Sequence, residues 1–426
     1  MSKQSRSRSQ ETSTKGDTTP RLRFPEFREN GAWRRSTLKD EVKILKGRGI
    51  SKSDLEADGA TPCVRYAELY TSYTEVIDEI LSFTDASPED LMLSEVGDVL
   101  IPASGESKDE IATATCVEQD GVALGGDLNV LRSEINGAFL SYYLNGSKRR
   151  DFARVAQGGT VTHLYPSQVE QVDVAIPSDV EQLKIADFLK SLASLVRAES
   201  STLSAVRAHK KGLLQQLFPS ADHHAPRTRV QRIDGSSRWR VKRGSELFDK
   251  RDEKGKDGLP LYSVTVDRGM VERSTIDRNF SDITDPSGNR VARAGDLAYN
   301  TMRMWQGACG VAPVDCMVSP AYVILEPKPG VNSKFFAYYF SRPDTLRLLT
   351  AYSRGLTKDR LRLYFDDFSD VPLLVPGEEE QEKIVDILLS VDDLIAAQSA
   401  RVAALKAHKQ GLLQQLFPKP DDGGAA

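Results

Sequence analysis

The sequence predicts an α+β protein: two pseudo-symmetric α/β domains separated by two long helices that form an antiparallel coiled coil. Three observations carry this prediction. The first is a duplication. Residues 208 to 219 read AHKKGLLQQLFP and residues 407 to 418 read AHKQGLLQQLFP, 199 positions apart (418 less 219) with one difference in twelve. A match of that length at that distance is a long-period internal repeat. The second is that the register holds upstream without a gap. Glu181, Gln182, Lys184, Ile185, Asp187 and Leu189 recur as Glu380, Gln381, Lys383, Ile384, Asp386 and Leu388. Earlier still, Leu164-Tyr165, Val172, Ile176 and Pro177 recur as Leu363-Tyr364, Val371, Val375 and Pro376.

The third observation is an apolar seam along each repeat. Ile185, Leu189, Leu192, Val196, Leu203, Val206, Leu213 and Leu217 follow one another at steps of four and three, and so do Ile384, Leu388, Val391, Ile395, Val402, Leu405, Leu412 and Leu416. Glu199 and Lys210 interrupt the first seam at the places where Gln398 and Lys409 interrupt the second. A period of 3.5 residues held over about five heptads is the coiled-coil pattern. Each helix ends near a proline, Pro219 or Pro418, which cannot continue it. At about 1.5 Å per residue, positions 180 to 218 make a rod of roughly 58 Å. A seam this long needs a partner, and the chain supplies a near-copy, with the polar interruptions setting register. Antiparallel pairing is favoured, because a parallel pair needs the chain to run back a full rod length; the intervening segment is long enough for that. The bland alternative is that each helix packs as core on its own neighbouring domain.

At 426 residues the chain exceeds one ordinary core. The repeat divides it into a tail over 1–19, a first domain over 20–178, a long helix over 179–218, a linker over 219–236, a second domain over 237–377, a second long helix over 378–418 and a tail over 419–426. The tail at 1–19 is Ser, Thr and Lys/Arg rich without apolar periodicity, the composition of a solvated, disordered segment. The first domain opens on RLRFPEF and Trp33 and continues through the β-like runs VKIL, CVRYAEL, GDVLIPAS, ATATCV and ALGGDLNVLRS. FLSYYLNGSKRRDFARVA reads as a helix or helical hairpin; Gly158-Gly159-Thr160 is a glycine loop; VTHLYPSQVEQVDVAIP reads as a short helix and a strand entering the long helix. The second domain repeats the plan, with Trp239 for Trp33, Gly295-Asp296-Leu297-Ala298 for Gly97-Asp98-Val99-Leu100, and Phe335-Phe336-Ala337-Tyr338-Tyr339 for Phe139-Leu140-Ser141-Tyr142-Tyr143. Between these anchors the copies hardly agree: VRYAELYTSYTEV has no close echo in LYSVTVDRGMVER, nor SGESKDEIATAT in TMRMWQGACGV. A shared frame with diverged loops suits two readers of different targets, since binding residues concentrate on loops.

Composition and motifs exclude several classes. A net charge of −4 argues against a strongly basic nucleic-acid binder, although a basic face can be balanced by acidic surface elsewhere. Cys63, Cys116, Cys309 and Cys316 lack ligand spacing and read as reduced core thiols, the last two inside one apolar strand-like run. No apolar run approaches 18 residues and no signal peptide is visible, which predicts a soluble, cytoplasmic protein. There is no GxxxxGK[ST] loop, no GxGxxG after a strand, no HExxH and no Cys/His cluster, so no metal site and no catalytic residue is expected. The Asn/Asp-Pro-Pro-aromatic motif of amino-methylating enzymes is missing; Asp285-Pro286-Ser287-Gly288 reads as a turn. Pro343-Asp344 is followed by no carboxylate-x-Lys of nuclease spacing, and His223-His224, without further ligands, reads as solvated.

The order RLRFPEF, variable domain, IPxxxEQLKIADFL, long helix closing on KKGLLQQLFP, and then all of it again, resembles the specificity subunit of type I restriction-modification enzymes over residues 20 to 418. RTRVQRIDGSSRW, at the second domain's opening, is a degraded form of RLRFPEF. The resemblance implies that each variable domain is a target recognition domain reading one half of a split sequence in double-stranded DNA. It implies that the helices are spacers that pair antiparallel and set the number of unread base pairs between the half-sites. It implies two modification subunits, which carry S-adenosylmethionine and methylate adenine, and two restriction subunits, which use ATP and Mg to translocate and cleave DNA; this chain would hold no cofactor and do no chemistry.

Base edges are read by Arg, Lys, Asn, Gln and carboxylates, and phosphates by Lys, Arg, Ser, Thr and backbone N–H groups. Polar loops beside strand ends nominate Arg65, Ser104, Glu106, Lys108, Thr160 and His163 in the first domain, and Asn300, Arg303, Gln306, Arg354, Thr357 and Lys358 in the second. Lys148, Arg149 and Arg150 form a basic patch that reads as a phosphate face or a solvated helix end. Two rival readings are an enzyme with fused recognition domains, either nuclease or methyltransferase, and a coiled-coil adaptor between proteins that never meets DNA.

Overall fold

The structure is a computed structural model that describes residues 18–158, 161–219, 239–276, 286–357 and 360–419. Thr160, Lys358, the His223-His224 pair, the linker from 220 on and most of both tails lie outside the described residues. The chain forms two compact units: one of residues up to Ser200 together with those from Ala400 on, the other of Ser201–Ser399.

In the first unit a five-stranded sheet runs in the order Lys43–Lys46, Leu128–Arg132, Asp98–Pro102, Thr115–Val117, Val76–Ile77. All neighbours are antiparallel except the last pair. Beside it lies a three-stranded sheet of Ser82–Thr84, Thr61–Val64 and Ala123–Leu124. A two-stranded ladder joins Arg34–Thr37 to Asp173–Ile176, the strand that feeds the first long helix. The second unit repeats the frame. Its four-stranded sheet runs Phe248–Lys250, Tyr322–Pro327, Leu297–Asn300, Cys309–Val311, and Arg240–Arg243 pairs with Pro372–Val375 ahead of the second long helix. The Gly-Asp turns that open the third strand of each order are alike. Gly97 and Gly295 both have φ +94°, and Asp98 and Asp296 are both buried. Each carboxylate is held by an arginine, Arg132 for Asp98 and Arg251 for Asp296.

Two sequence expectations are corrected. Cys309 and Cys316 do not share a strand: they sit in Cys309–Val311 and Cys316–Val318, which belong to different sheets. ALGGDLNVLRS is not one run either, because Gly125–Asp127 break it into Ala123–Leu124 and Leu128–Arg132. All four cysteines are buried free thiols. Burial pushes Cys63 up to about 11 and Cys116, Cys309 and Cys316 up to about 12, because it disfavours the thiolate. A thiol reagent at pH 8 is therefore expected to label none of the four in the native chain and all four after unfolding in guanidinium, as counted by mass spectrometry.

The two long helices, Asp179–Leu217 and Glu378–Leu416, are 39 residues each. Within the first unit they run antiparallel: Glu199 pairs with Arg401 at 2.7 Å, while Ile185 and Leu189 share a core with Leu412 and Leu416. Within the second unit Lys210 pairs with Asp392 at 2.5 Å, and Leu217 shares a core with Ile384 and Leu388. The seam positions are buried or half-buried throughout. The bland alternative also holds in part, because both helix ends are core. Ile185, Ala186 and Leu189 pack with Trp33, Phe139 and Tyr143 of the domain they follow. The same core takes Phe417, from just beyond the end of the other helix. The second unit mirrors this with Ile384, Val385 and Leu388 on Trp239, Phe335 and Tyr339, joined by Phe218. Lys409 does not set helix register: it pairs with Glu75 of the first domain and sits over the Tyr142 ring. Lys210 lies over Tyr338, whose hydroxyl donates to Asp392.

Candidate nucleic-acid interface

The repeated Glu-Gln that opens each helix anchors the frame. Trp33 Nε1 donates to Glu181 Oε1 at 3.3 Å and Trp239 Nε1 to Glu380 Oε1 at 3.2 Å. Gln182 Oε1 accepts from the Asn136 backbone N–H and Gln381 Oε1 from that of Asn332, both at 2.9 Å. In the first unit Arg23 closes a two-point ion pair on Glu181, with both contacts at 2.7 Å.

On this frame each unit builds one polar edge in the same way. In the first, the strand Asp98–Pro102 runs out at Ala103, whose N–H donates to the Asp127 carbonyl and whose carbonyl accepts from Leu164 N–H. In the second, Thr301 follows the strand Leu297–Asn300, with its N–H on the Ala321 carbonyl and its carbonyl accepting from Leu363 N–H. A tight hairpin stands beside each edge. Gln157 and His163 exchange both backbone hydrogen bonds, as do Arg354 and Arg362. The residue after the first partner is a glycine at positive φ, Gly158 at +128° and Gly355 at +146°. An added Cβ there would lie 2.1 Å from the Val161 carbonyl oxygen or 2.5 Å from that of Arg360. Gly355→Ala is therefore expected to cost about 1–3 kcal/mol locally without changing the helical content, checked by denaturant unfolding and circular dichroism.

Arg65 ends the strand Thr61–Val64, its N–H on Glu68 Oε2 at 2.8 Å and its guanidinium 3.5 Å from Glu68 Oε1. Glu106 and Lys108 are exposed at the start of the short helix Lys108–Ile111, which Ser107 and Glu110 cap reciprocally. His163 is half-buried and pairs across strands with Ser104. Ser104 is not a loop residue: it is buried in that ladder, so its side chain does not face solvent. Backbone hydrogen bonds and pairings thus link Ser104, His163 and the Asp127 turn, with Arg65 packed against Gly125 at the head of that turn. In the second unit Asn300 Oδ1 accepts from Met302 N–H at 2.9 Å, and Arg303 and Gln306 are exposed on the next turn. Arg354 and Thr357 are exposed on the hairpin, with Arg354 held at 2.6 Å by Asp367.

The basic patch is corrected in one member. Lys148 is buried, over the Tyr143 ring and 3.5 Å from Asp151, so it is part of the packing rather than of a solvated face. Arg149 donates to the Asp109 carbonyl. Sequence reasoning passed over Asp127, an exposed non-glycine residue at φ +55° in the Gly-Gly-Asp turn; that dipeptide before an Asp was the available signal. It also passed over Tyr66 and Tyr70, whose rings lie 6.4 Å apart. Burial raises the Tyr70 phenol, and Glu110 and Glu106 add to that. No group of three or more His, Cys, Asp or Glu side chains suited to a metal, and no helix long and apolar enough to cross a membrane, occurs among the described residues.

The model of the type I restriction modification DNA specificity domain matches residues 30–206 and 273–407, together more than half of the chain. A type I restriction-modification system S subunit from M. genitalium shares the fold, with TM-score 0.58 and 14% identity over 94% of this chain and 99% of that one. A chain from a structure concerned with complex assembly and conformational transition of the type I R-M system gives TM-score 0.54 and 19% identity, over 92% and 98%. With the match falling once on each copy of the repeated frame, the chain belongs to the family of type I restriction-modification DNA specificity subunits.

Proposed function

We propose that the two units read the two halves of a split target in double-stranded DNA and that the chain itself catalyses nothing. It serves as the platform for two modification subunits, which supply S-adenosylmethionine and the methyl transfer to adenine, and for two restriction subunits, which supply ATP- and Mg-dependent translocation and cleavage. The observation that carries this reading is the pairing of an identical hydrogen-bonded frame with unlike edges: Ala103, Asp127 and the Gln157–His163 hairpin in one unit, Thr301, Ala321 and the Arg354–Arg362 hairpin in the other. Half-site spacing follows from the geometry of the modules that present the readers. The reading surface is assigned to Arg65, Glu106 and Lys108 in the first half, and to Asn300, Arg303, Gln306, Arg354 and Thr357 in the second.

Sequencing the methylated bases of the source strain with and without this gene tests the proposal. One two-part motif is expected to vanish on deletion and to return on complementation. Survival of every motif would sink the reading, as would methyl transfer by the purified chain alone.

A further inference from the structure

One exposed feature survives in both copies although the loops around it do not. Leu164-Tyr165 and Leu363-Tyr364 occupy equivalent places, directly after the hairpins and hydrogen-bonded through the leucine N–H to Ala103 and Thr301. The leucines are fully buried. Each tyrosine is 50% exposed. The residue before each leucine is basic, His163 in one copy and Arg362 in the other. In an extended segment the side chains on either side of a buried residue share the opposite face, which puts His163 on the face of Tyr165 and Arg362 on that of Tyr364; Arg362 Nη1 also donates to the Leu361 carbonyl at 2.9 Å. His163 and Tyr165 stack, with ring centroids 6.0 Å apart. Tyr364 lines an open groove of about 300 Å³ with Lys250, Arg251 and Arg290, and with Asp252 and Asp366.

Burial explains why the leucines persist; it does not explain the tyrosines. A side chain retained in two heads that read different sequences cannot be what distinguishes those sequences. It does something both halves need alike. On DNA, what both halves share is the phosphodiester backbone, whose contacts fix position and carry no sequence. A phenol O–H, an imidazole N–H and a guanidinium N–H all donate, and phosphate oxygens only accept. We propose that His163 with Tyr165, and Arg362 with Tyr364, form two equivalent phosphate clamps, one per unit, that seat each head on the duplex without reading it. The proposal rests on the DNA-reading function above.

The test uses the full chain assembled with its modification subunits, carrying Tyr165→Phe, Tyr364→Phe or Arg362→Gln. Affinity is measured on duplexes with and without the target at several salt concentrations, and the methylated motif is sequenced. Each substitution is expected to weaken binding by about three- to tenfold on both duplexes. Arg362→Gln should also make the slope of log affinity on log salt shallower by about 0.9. The motif should not change, nor should the melting temperature of the two Tyr→Phe variants, which lose only a hydroxyl. A motif altered at one half-site would overturn the clamp and make these residues readers. Unchanged affinity on both duplexes, or a loss of modification-subunit assembly in place of DNA binding, would overturn it as well. An unsubstituted assembly that binds no DNA would fail differently, removing the function reading and the clamp together.

Discussion

Phe417→Ala is expected to destabilise the first unit by about 3–5 kcal/mol, the usual cost of truncating a buried aromatic. Phe417 is 1% exposed and meets Trp33, Phe139 and Tyr143 with ring centroids 6.3, 5.8 and 5.4 Å away. It lies more than 230 residues along the chain from the domain whose core it completes, as the numbering shows. A chain ending at Ser399 should fare worse, losing Leu412, Leu416 and Phe417 from that core at once. The measurement is calorimetric or denaturant unfolding, with near-ultraviolet circular dichroism reporting the Trp33 environment. Phe218→Ala is the matching change in the second unit, where the ring lies 5.1 Å from Phe335 and 5.4 Å from Tyr339. A Phe417→Ala chain with an unchanged unfolding curve would show that the domain closes its core without the distant helix end.

Glu181→Ala is expected to cost a similar amount, about 3–5 kcal/mol, for a different reason. The side chains of Glu181 and Arg23 are 1% and 8% exposed, so removing the carboxylate leaves the guanidinium with only the Asn30 and Gly31 carbonyls and strands the Trp33 indole N–H. The pair holds the Arg23 pKa above its ordinary value, chiefly through the hydrogen bonds to Glu181. Replacing both partners by apolar residues of similar size should recover much of the loss, because the cost is that of an uncompensated charge. Urea unfolding of the single and double variants separates the cases. A single variant as stable as the parent would mean that Arg23 finds water when its partner is gone.

The parts of the molecule that were legible in advance are those governed by period and repetition. The seam residues from Ile185 to Leu217 and from Ile384 to Leu416 could be read because a helix displays its buried face at fixed intervals. The Gly-Asp turns and the Trp33 and Trp239 positions could be read because they occur twice. What failed was local and ambiguous. Ser104 looked like a loop residue because the ladder that buries it is made by His163, some sixty positions on. Lys148 looked like surface because nothing nearby in the chain announces that Tyr143 and Asp151 enclose it. Asp127 was passed over because one strained residue carries no periodic signal.

The amino-acid order was enough to establish that there are two copies of one frame, where their helices begin and end, and which faces of those helices are apolar, since all three follow from repetition and helical period. It could not decide which core receives each helix end, or which polar side chains face outward on each edge. Those depend on contacts between segments far apart in the chain, such as Phe417 on Trp33 and Leu164 on Ala103, and only the folded arrangement brings them together.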